Sequence, residues 1–252
     1  MRSEGITDST APLALKKAGA TVHLVDMRRS PQHPANAQAL LKITKLAWQL
    51  RPDLLHGHSA IGGALARAVP LAVPKLYTPN GLMPNRAAMA LERLLGGVTT
   101  RLVLVSEAER VQALDLALVH PSRAVVIPNG VELSLPAPER AIRAALGIGA
   151  EVRLVGTVMR LAEQKAPEDF VRMCQLVSRE LPDVRFVVVG DGPLAANVDG
   201  LAVTLGNRFT RIRHLVGVSA SLADLDVFVL LSRYEGGPYV PLRTARPLWG
   251  PR

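Results

Sequence analysis

Residues 226–242 read D-V-F-V-L-L-S-R-Y-E-G-G-P-Y-V-P-L. The apolar run Val227-Phe228-Val229-Leu230-Leu231 has the length and β-branched content of a buried parallel strand. Ser232-Arg233-Tyr234 follow, then an acid, two glycines and a proline, then an apolar segment suited to open a helix. Strand, Gly-rich turn and helix start, in that order, are how an α/β protein presents backbone N–H groups to a phosphate. The glycines let the main chain come close to a ligand, and Glu235 adds a carboxylate.

The same alternation of short apolar strands and helical segments runs outward through most of the chain and predicts a parallel α/β fold. In the first half, residues 13–18 read as the end of a helix and T-V-H-L-V-D at 21–26 as a strand. Residues 36–50 carry apolar groups at helical spacing until Arg51-Pro52-Asp53 breaks them. Residues 54–56 are a predicted strand, 61–69 a short helix, and 75–78 and 101–105 two more strands. Ser106 and Glu109 stand at capping-box spacing for a further helix. Residues 132–150, rich in Pro, Ala and Gly, read as a linker. A second set follows: strands at 151–158, 184–189, 212–216 and 227–231, and a helix at 167–180 with Pro167 in its first turn. Two such sets without a repeat period predict two Rossmann-like domains facing a cleft.

Composition narrows the class. With 252 residues the chain can bury one large or two modest cores, and 48% apolar content argues for a globular protein. Only 4% of residues are aromatic, so the core rests on Ala, Val and Leu. No apolar run approaches the roughly 18 residues that span a bilayer. Residues 1–10 lack the apolar centre of a signal peptide. The single cysteine, Cys174, permits no internal disulfide and fits a reducing compartment, so a cytoplasmic location is predicted. The formal charge of +9 suits nucleic acid, an anionic membrane surface or phosphorylated substrates. The basic residues are nevertheless spread out, and free use of Arg by a GC-rich genome explains them as well as a basic face does.

Several stretches, taken together, resemble the GT-B glycosyltransferases of family 4. Residues 226–242 resemble that family's S-x-x-E-G-x-P donor-site run. His56-Gly57-His58 resembles its H-x-H strand end. Tyr77-Thr78-Pro79-Asn80-Gly81 resembles its Y-T-x-H-G turn, with Asn80 where histidine is common. Residues 105–109 and 127–131 resemble the close of its acceptor domain. Gly156-Thr157-Val158-Met159-Arg160 with Gln164-Lys165-Ala166-Pro167 resembles the first turn of its donor domain, and residues 187–193 (V-V-V-G-D-G-P) the next landmark. The resemblance implies a GT-B-like fold whose two Rossmann-like domains are both incomplete. An acceptor-side domain is expected at 11–135, a linker at 136–150, a partial donor domain at 151–242 and an aberrant tail at 243–252.

It also implies a retaining transferase that moves a sugar from a nucleotide-diphosphate donor to a glycan or lipid-linked acceptor. No resident cofactor or metal is expected. Arg160 as a fork and Lys165 as a point charge are expected to clamp the diphosphate. Gly236, Gly237, Pro238, Tyr239 and Val240 are expected on the donor side, with Glu235 orienting sugar hydroxyls. Glu235 and His58 are the catalytic candidates, and Asn80 is placed on the acceptor side. His56 and His58 serve equally well as loop histidines bonded to backbone; with no Cys or third His nearby, they are not read as a metal pair. Asp224-Leu225-Asp226 matches a metal-binding D-x-D string, yet its position just ahead of a strand reads as a cap. Peripheral contact with an anionic inner membrane face is expected, and specific nucleic-acid binding is not. A nicotinamide site is disfavoured, because Gly147-Ile148-Gly149 precedes a strand instead of following one.

Two stretches depart from the family pattern. No first strand with its Gly-rich loop is readable before Leu13. Arg243 stands where the family's second Glu is expected, and the tail after Leu242 contains two prolines that forbid a helix. The expectation is a gene fragment or a frameshift after codon 242, with weak or absent transfer activity. Loss of one partner of a ribose diol costs roughly 1–3 kcal/mol.

Overall fold

The computed structural model describes residues 10–28, 30–82, 86–130, 141–215 and 220–237. In chain order the elements are α1 (Thr10–Lys17), α2 (Pro34–Leu50), β1 (Leu55–His58), α3 (Ala60–Ala68), β2 (Lys75–Thr78), α4 (Arg86–Gly96), β3 (Arg101–Leu104), α5 (Glu107–Asp115), β4 (Ala124–Val126), α6 (Ala141–Leu146), β5 (Leu154–Val158), α7 (Pro167–Glu180), β6 (Arg185–Val189), α8 (Ala195–Ala202), β7 (Phe209–Ile212) and β8 (Val227–Phe228). The chain divides into two compact units, and residues 80–82 and 104–112 group with the second one. No helix among the described residues is long and apolar enough to cross a membrane.

The first unit holds a four-stranded sheet in the order β1-β2-β3-β4, with β1, β2 and β3 parallel. Helix α2 begins where His33 accepts the Ala35 N–H and Pro34 fixes the first turn; it ends at Arg51, whose φ of 45° is left-handed. Helix α3 lies hard against the strands. A Cβ on Gly63 would sit 2.1 Å from the Tyr77 ring, and one on Gly57 would sit 2.6 Å from the Gly63 Cα. Into this close layer the chain buries an ionic group. Arg67 Nη2 pairs with Glu92 Oε2 at 2.7 Å, Tyr77 Oη donates to Glu92 Oε1 at 3.0 Å, and the Arg67 guanidinium stacks 3.7 Å above the Tyr77 ring. Lys75 Nζ satisfies the carbonyls of Arg67 and Val69 at the end of α3. Burial pulls the Lys75 ammonium below the usual lysine range.

The second unit is a parallel sheet in the order β7-β6-β5-β8, covered on both faces. Period-2 alternation along β6 explains the layers. Phe186 and Val188 face a core with Phe170, Val171 and Cys174 of α7 and Val198 of α8. Val187 and Val189 face the other core, with Ile142 of α6, Leu222 and Leu225. Each such side chain contributes about 1.5–3 kcal/mol on burial. Burial pushes the Cys174 thiol up to about 12, which leaves it protonated and unreactive near neutrality.

Four expectations are corrected here. Residues 21–28 form no regular element, although 21–26 alternate like a strand. Leu24 is 84% exposed, and a strand needs a ladder neighbour that this segment lacks among the described residues. The segment is held instead by Asn36, which bonds both the N–H and the carbonyl of Arg28. The strand predicted at 212–216 lies earlier, at β7, in register with β6. Only Val227 and Phe228 of the 227–231 run belong to β8, and Val227 is 49% and Leu231 37% exposed. The cause is position, since among the described residues β8 is the last strand in the sheet order and so is covered less than a central strand. Finally, the predicted linker contains α6, whose Ile142 is fully buried. Asp224 Oδ2 accepts the Ile142 and Arg143 N–H groups, and Asp226 takes the Arg143 guanidinium and the Leu154 N–H. The D-x-D string is thus a helix cap and strand anchor, as its position implied.

Candidate functional site

In the second sheet β5 has β6 on one side and β8 on the other, so the strand order reverses between β5 and β8. Open α/β sheets bind ligands at such a switch point, beyond the carboxyl ends of the strands. The loops that leave β5 and β8 meet there. Arg233 N–H donates to the Gln164 carbonyl at 2.8 Å, and Gln164 Nε2 donates to the Tyr234 carbonyl at 3.1 Å. Lys165 Nζ makes an ion pair and hydrogen bond with Glu235 Oε1. Lys165 can reach because a short 3-10 turn, Glu163–Lys165, ends in Ala166 at a left-handed φ of 48° before Pro167 starts α7. Both partners keep about a fifth to a quarter of their side-chain surface open, so the pair is screened but not isolated from solvent.

The glycine turn is shaped by sterics. A Cβ on Gly236 would lie 2.6 Å from the Gly81 nitrogen and 2.9 Å from the Asn80 carbonyl carbon, both backbone atoms. No side chain fits. Gly237 has more room, with Asn129 Nδ2 and Val105 Cγ2 each 3.2 Å from its notional Cβ, and Asn129 Nδ2 donates to the Gly237 carbonyl. The facing turn has Asn80 at φ 56° and Gly81 at φ +114°. Asn tolerates the left-handed region better than other side chains, which accounts for Asn80. Glu109 holds the turn from beneath. Its carboxylate, on a residue only 3% exposed, accepts the Gly81 N–H at 2.7 Å and the Val105 N–H at 2.9 Å.

The structure therefore gathers Lys165, Glu235, Gly236, Gly237 and Asn80 in the second unit. Arg160 is exposed at the start of the same β5 loop. Pro238, Tyr239 and Val240 lie outside the described residues. His58 belongs to the first unit, where its ring stacks 4.2 Å from that of His56, and His56 Nε2 lies 2.9 Å from Thr78 Oγ1. Partial burial, with a lesser push from His58, holds the His56 pKa below the usual histidine value. Three contributors are not marked as site residues by the sequence. Gln164 and Asn129 stand only within motifs, and Glu109 only at a capping position. The capping bond does form, from Glu109 N–H to Ser106 Oγ at 3.2 Å, but the carboxylate goes further afield.

Parallel sheets with a ligand-type switch point define a doubly wound α/β protein. Residues 5–135 match the model of Glycosyltransferase Family 4, and residues 152–245 match that of Glycosyl transferases group 1. The first match alone covers more than half of the chain, which therefore belongs to glycosyltransferase family 4. A D-inositol 3-phosphate glycosyltransferase of Kineococcus radiotolerans is 33% identical over 174 residues, 60% of this chain and 40% of that protein. The Escherichia coli UDP-Gal:alpha-D-GlcNAc-diphosphoundecaprenol alpha-1,3-galactosyltransferase is 29% identical over 224 residues, 80% of this chain and 57% of that one. The chain thus spans about half the length of these curated relatives. Among solved structures, Anabaena HepE in complex with UDP and glucose superposes with a TM-score of 0.74 at 17% identity, over 94% of this chain and 68% of that one. Sucrose-phosphate synthase from Thermosynechococcus elongatus gives 0.74 at 17% identity, over 87% and 60%. At such identities the likeness concerns the fold.

Proposed function

We propose that the chain handles the donor in a retaining transfer of a sugar from a nucleotide diphosphate to a glycan or lipid-linked acceptor. The observation that carries this reading is the Lys165–Glu235 pair joining the loops of β5 and β8 beside the glycine turn. A diphosphate competes with Glu235 for the Lys165 ammonium, being the stronger anion with more acceptor oxygens. Its arrival frees the Glu235 carboxylate to accept hydrogen bonds from hydroxyls of the donor sugar. Arg160, on the same loop, adds a planar fork for a second phosphate oxygen. Charge that develops on the departing diphosphate is met by these two cations, so this reading needs no metal. His58 serves catalysis on the acceptor side, and Asn80 backs the glycine turn.

The names of relatives support the substrate class: the E. coli protein's names a UDP-sugar donor and a diphospholipid-linked acceptor. The retaining outcome rests on family resemblance. The +9 charge suits peripheral contact with an anionic membrane surface.

Thermal unfolding in the presence of UDP, ADP and GDP tests the reading. At least one nucleoside diphosphate is expected to raise the midpoint with concentration, as ligand linkage requires. Lys165→Met is expected to weaken that ligand about 10- to 100-fold, the loss of one charge-assisted contact. An undiminished shift in Lys165→Met, or no shift with any of the three, would sink the proposal. A second reading, a binding module without turnover, is favoured by Arg243 standing at the second-carboxylate position. It differs in one readout: nucleotide still stabilises the protein, but no labelled sugar is transferred.

A further inference from the structure

The candidate donor site uses the carboxyl end of the second sheet. At the opposite end, where β5, β6 and β7 begin, a groove of about 680 Å³ opens. Its basic walls are Arg153 just ahead of β5, Arg185 at the start of β6 and Arg208 just ahead of β7. Strand register brings them to one edge, since Leu154 pairs with Arg185 and Phe186 with Phe209. Two guanidiniums are steadied through a single nitrogen: Arg185 Nη1 donates to the Asn207 carbonyl, and Arg208 Nη1 donates to the Ser178 carbonyl at 2.9 Å. Their remaining N–H groups, and the whole Arg153 guanidinium, have no protein partner among the described residues.

Glu151 and Asp183 also line the groove, yet among the described residues neither forms an ion pair with these arginines. The Glu151 carboxylate is turned onto Gly149, with an oxygen 2.2 Å from where a Cβ of that glycine would be. Three guanidiniums thus share one opening with two carboxylates that do not pair with them, which leaves the groove with an excess of positive charge and with N–H donors turned to an incoming anion.

We propose that this groove is a second anion site, separate from the donor site, which takes a phosphorylated small molecule. Arginine forks match phosphate oxygens in pairs, and the volume falls within the range of small-molecule sites. Leu181 and Pro182 give the organic part of the ligand an apolar wall. The phosphate belongs either to a free phosphoester or to the headgroup of an anionic lipid.

Isothermal titration with inorganic pyrophosphate tests this, carried out in a Lys165→Met background so that the donor-side ammonium does not contribute. Saturable binding is expected to persist there and to weaken at least tenfold on adding Arg153→Ser, and likewise Arg208→Ser. The Arg153 side chain is exposed and has no partner among the described residues, so its replacement is expected to leave the fold intact, which circular dichroism checks. Glu151→Gln is expected to keep or tighten binding. Co-sedimentation with phosphatidylglycerol vesicles separates the sources: retention that depends on Arg153 assigns the phosphate to a lipid, and no retention assigns it to a free phosphoester. Absence of pyrophosphate binding in the Lys165→Met protein, or binding indifferent to both arginine variants, overturns the proposal.

Discussion

Glu92→Ala is expected to lower the unfolding free energy by about 3–5 kcal/mol, the cost of leaving one member of a buried ion pair alone. Glu92 is 6% exposed and Arg67 2%, so water does not reach either readily. Removing the carboxylate strands the Arg67 guanidinium over the Tyr77 ring and takes away the acceptor of Tyr77 Oη. The neighbouring packing offers no escape, because Gly63 lies against that ring with no room for a Cβ. Urea denaturation measures the change as a lower midpoint at unchanged slope. Glu92→Gln keeps one acceptor and the side-chain volume, so its loss is expected to be smaller. An alanine variant within 1 kcal/mol of the parent would falsify the claim that the network is desolvated.

Glu109→Ala has the next largest effect. It leaves the N–H groups of Gly81 and Val105 unsatisfied, each at about 1–3 kcal/mol. The loss is not confined to stability. Gly81 and Asn80 hold left-handed conformations against the backbone of Gly236, and the Glu109 carboxylate keeps that turn in place. Nucleoside diphosphate affinity, read by thermal shift, is therefore expected to fall along with stability in Glu109→Ala. Glu109→Gln retains one acceptor oxygen and is expected to recover part of both. Normal nucleotide affinity in a destabilised Glu109→Ala would separate the turn from the donor site.

What could be read in advance depended on how local each cause is. Strand β2 and helix α7 have the bounds the sequence predicts, since the Lys75–Thr78 run is short and ends in the β-formers Tyr77 and Thr78, and Pro167 marks a helix start. Helices α4 and α8 went unread: α8, A-A-N-V-D-G-L-A, has too few large apolar residues to show a period. Helix α6 hid in a Pro-, Ala- and Gly-rich stretch because its cap, Asp224, is supplied from a distant segment. At the site, motif order placed Lys165 and Glu235 together although 70 residues separate them. Glu109 was legible only as a cap for its own helix. Its bond to Gly81 crosses 28 residues and follows from the folded turn, which no local pattern encodes.

The sheet order also sets a sequence of events in folding. Strand β5 pairs with β6 across one helix, Val155 opposite Phe186, but reaches β8 only at Val227. Closing the longer loop costs more chain entropy, which two ladder pairs and the Asp224 and Asp226 bonds repay only once α6 and β5 are in place. The β8 edge and the Glu235 loop beyond it therefore dock onto a sheet that has already formed. A nucleotide that ties this loop down acts on the last piece to arrive, so its stabilisation is expected to appear as slower unfolding at a nearly unchanged refolding rate.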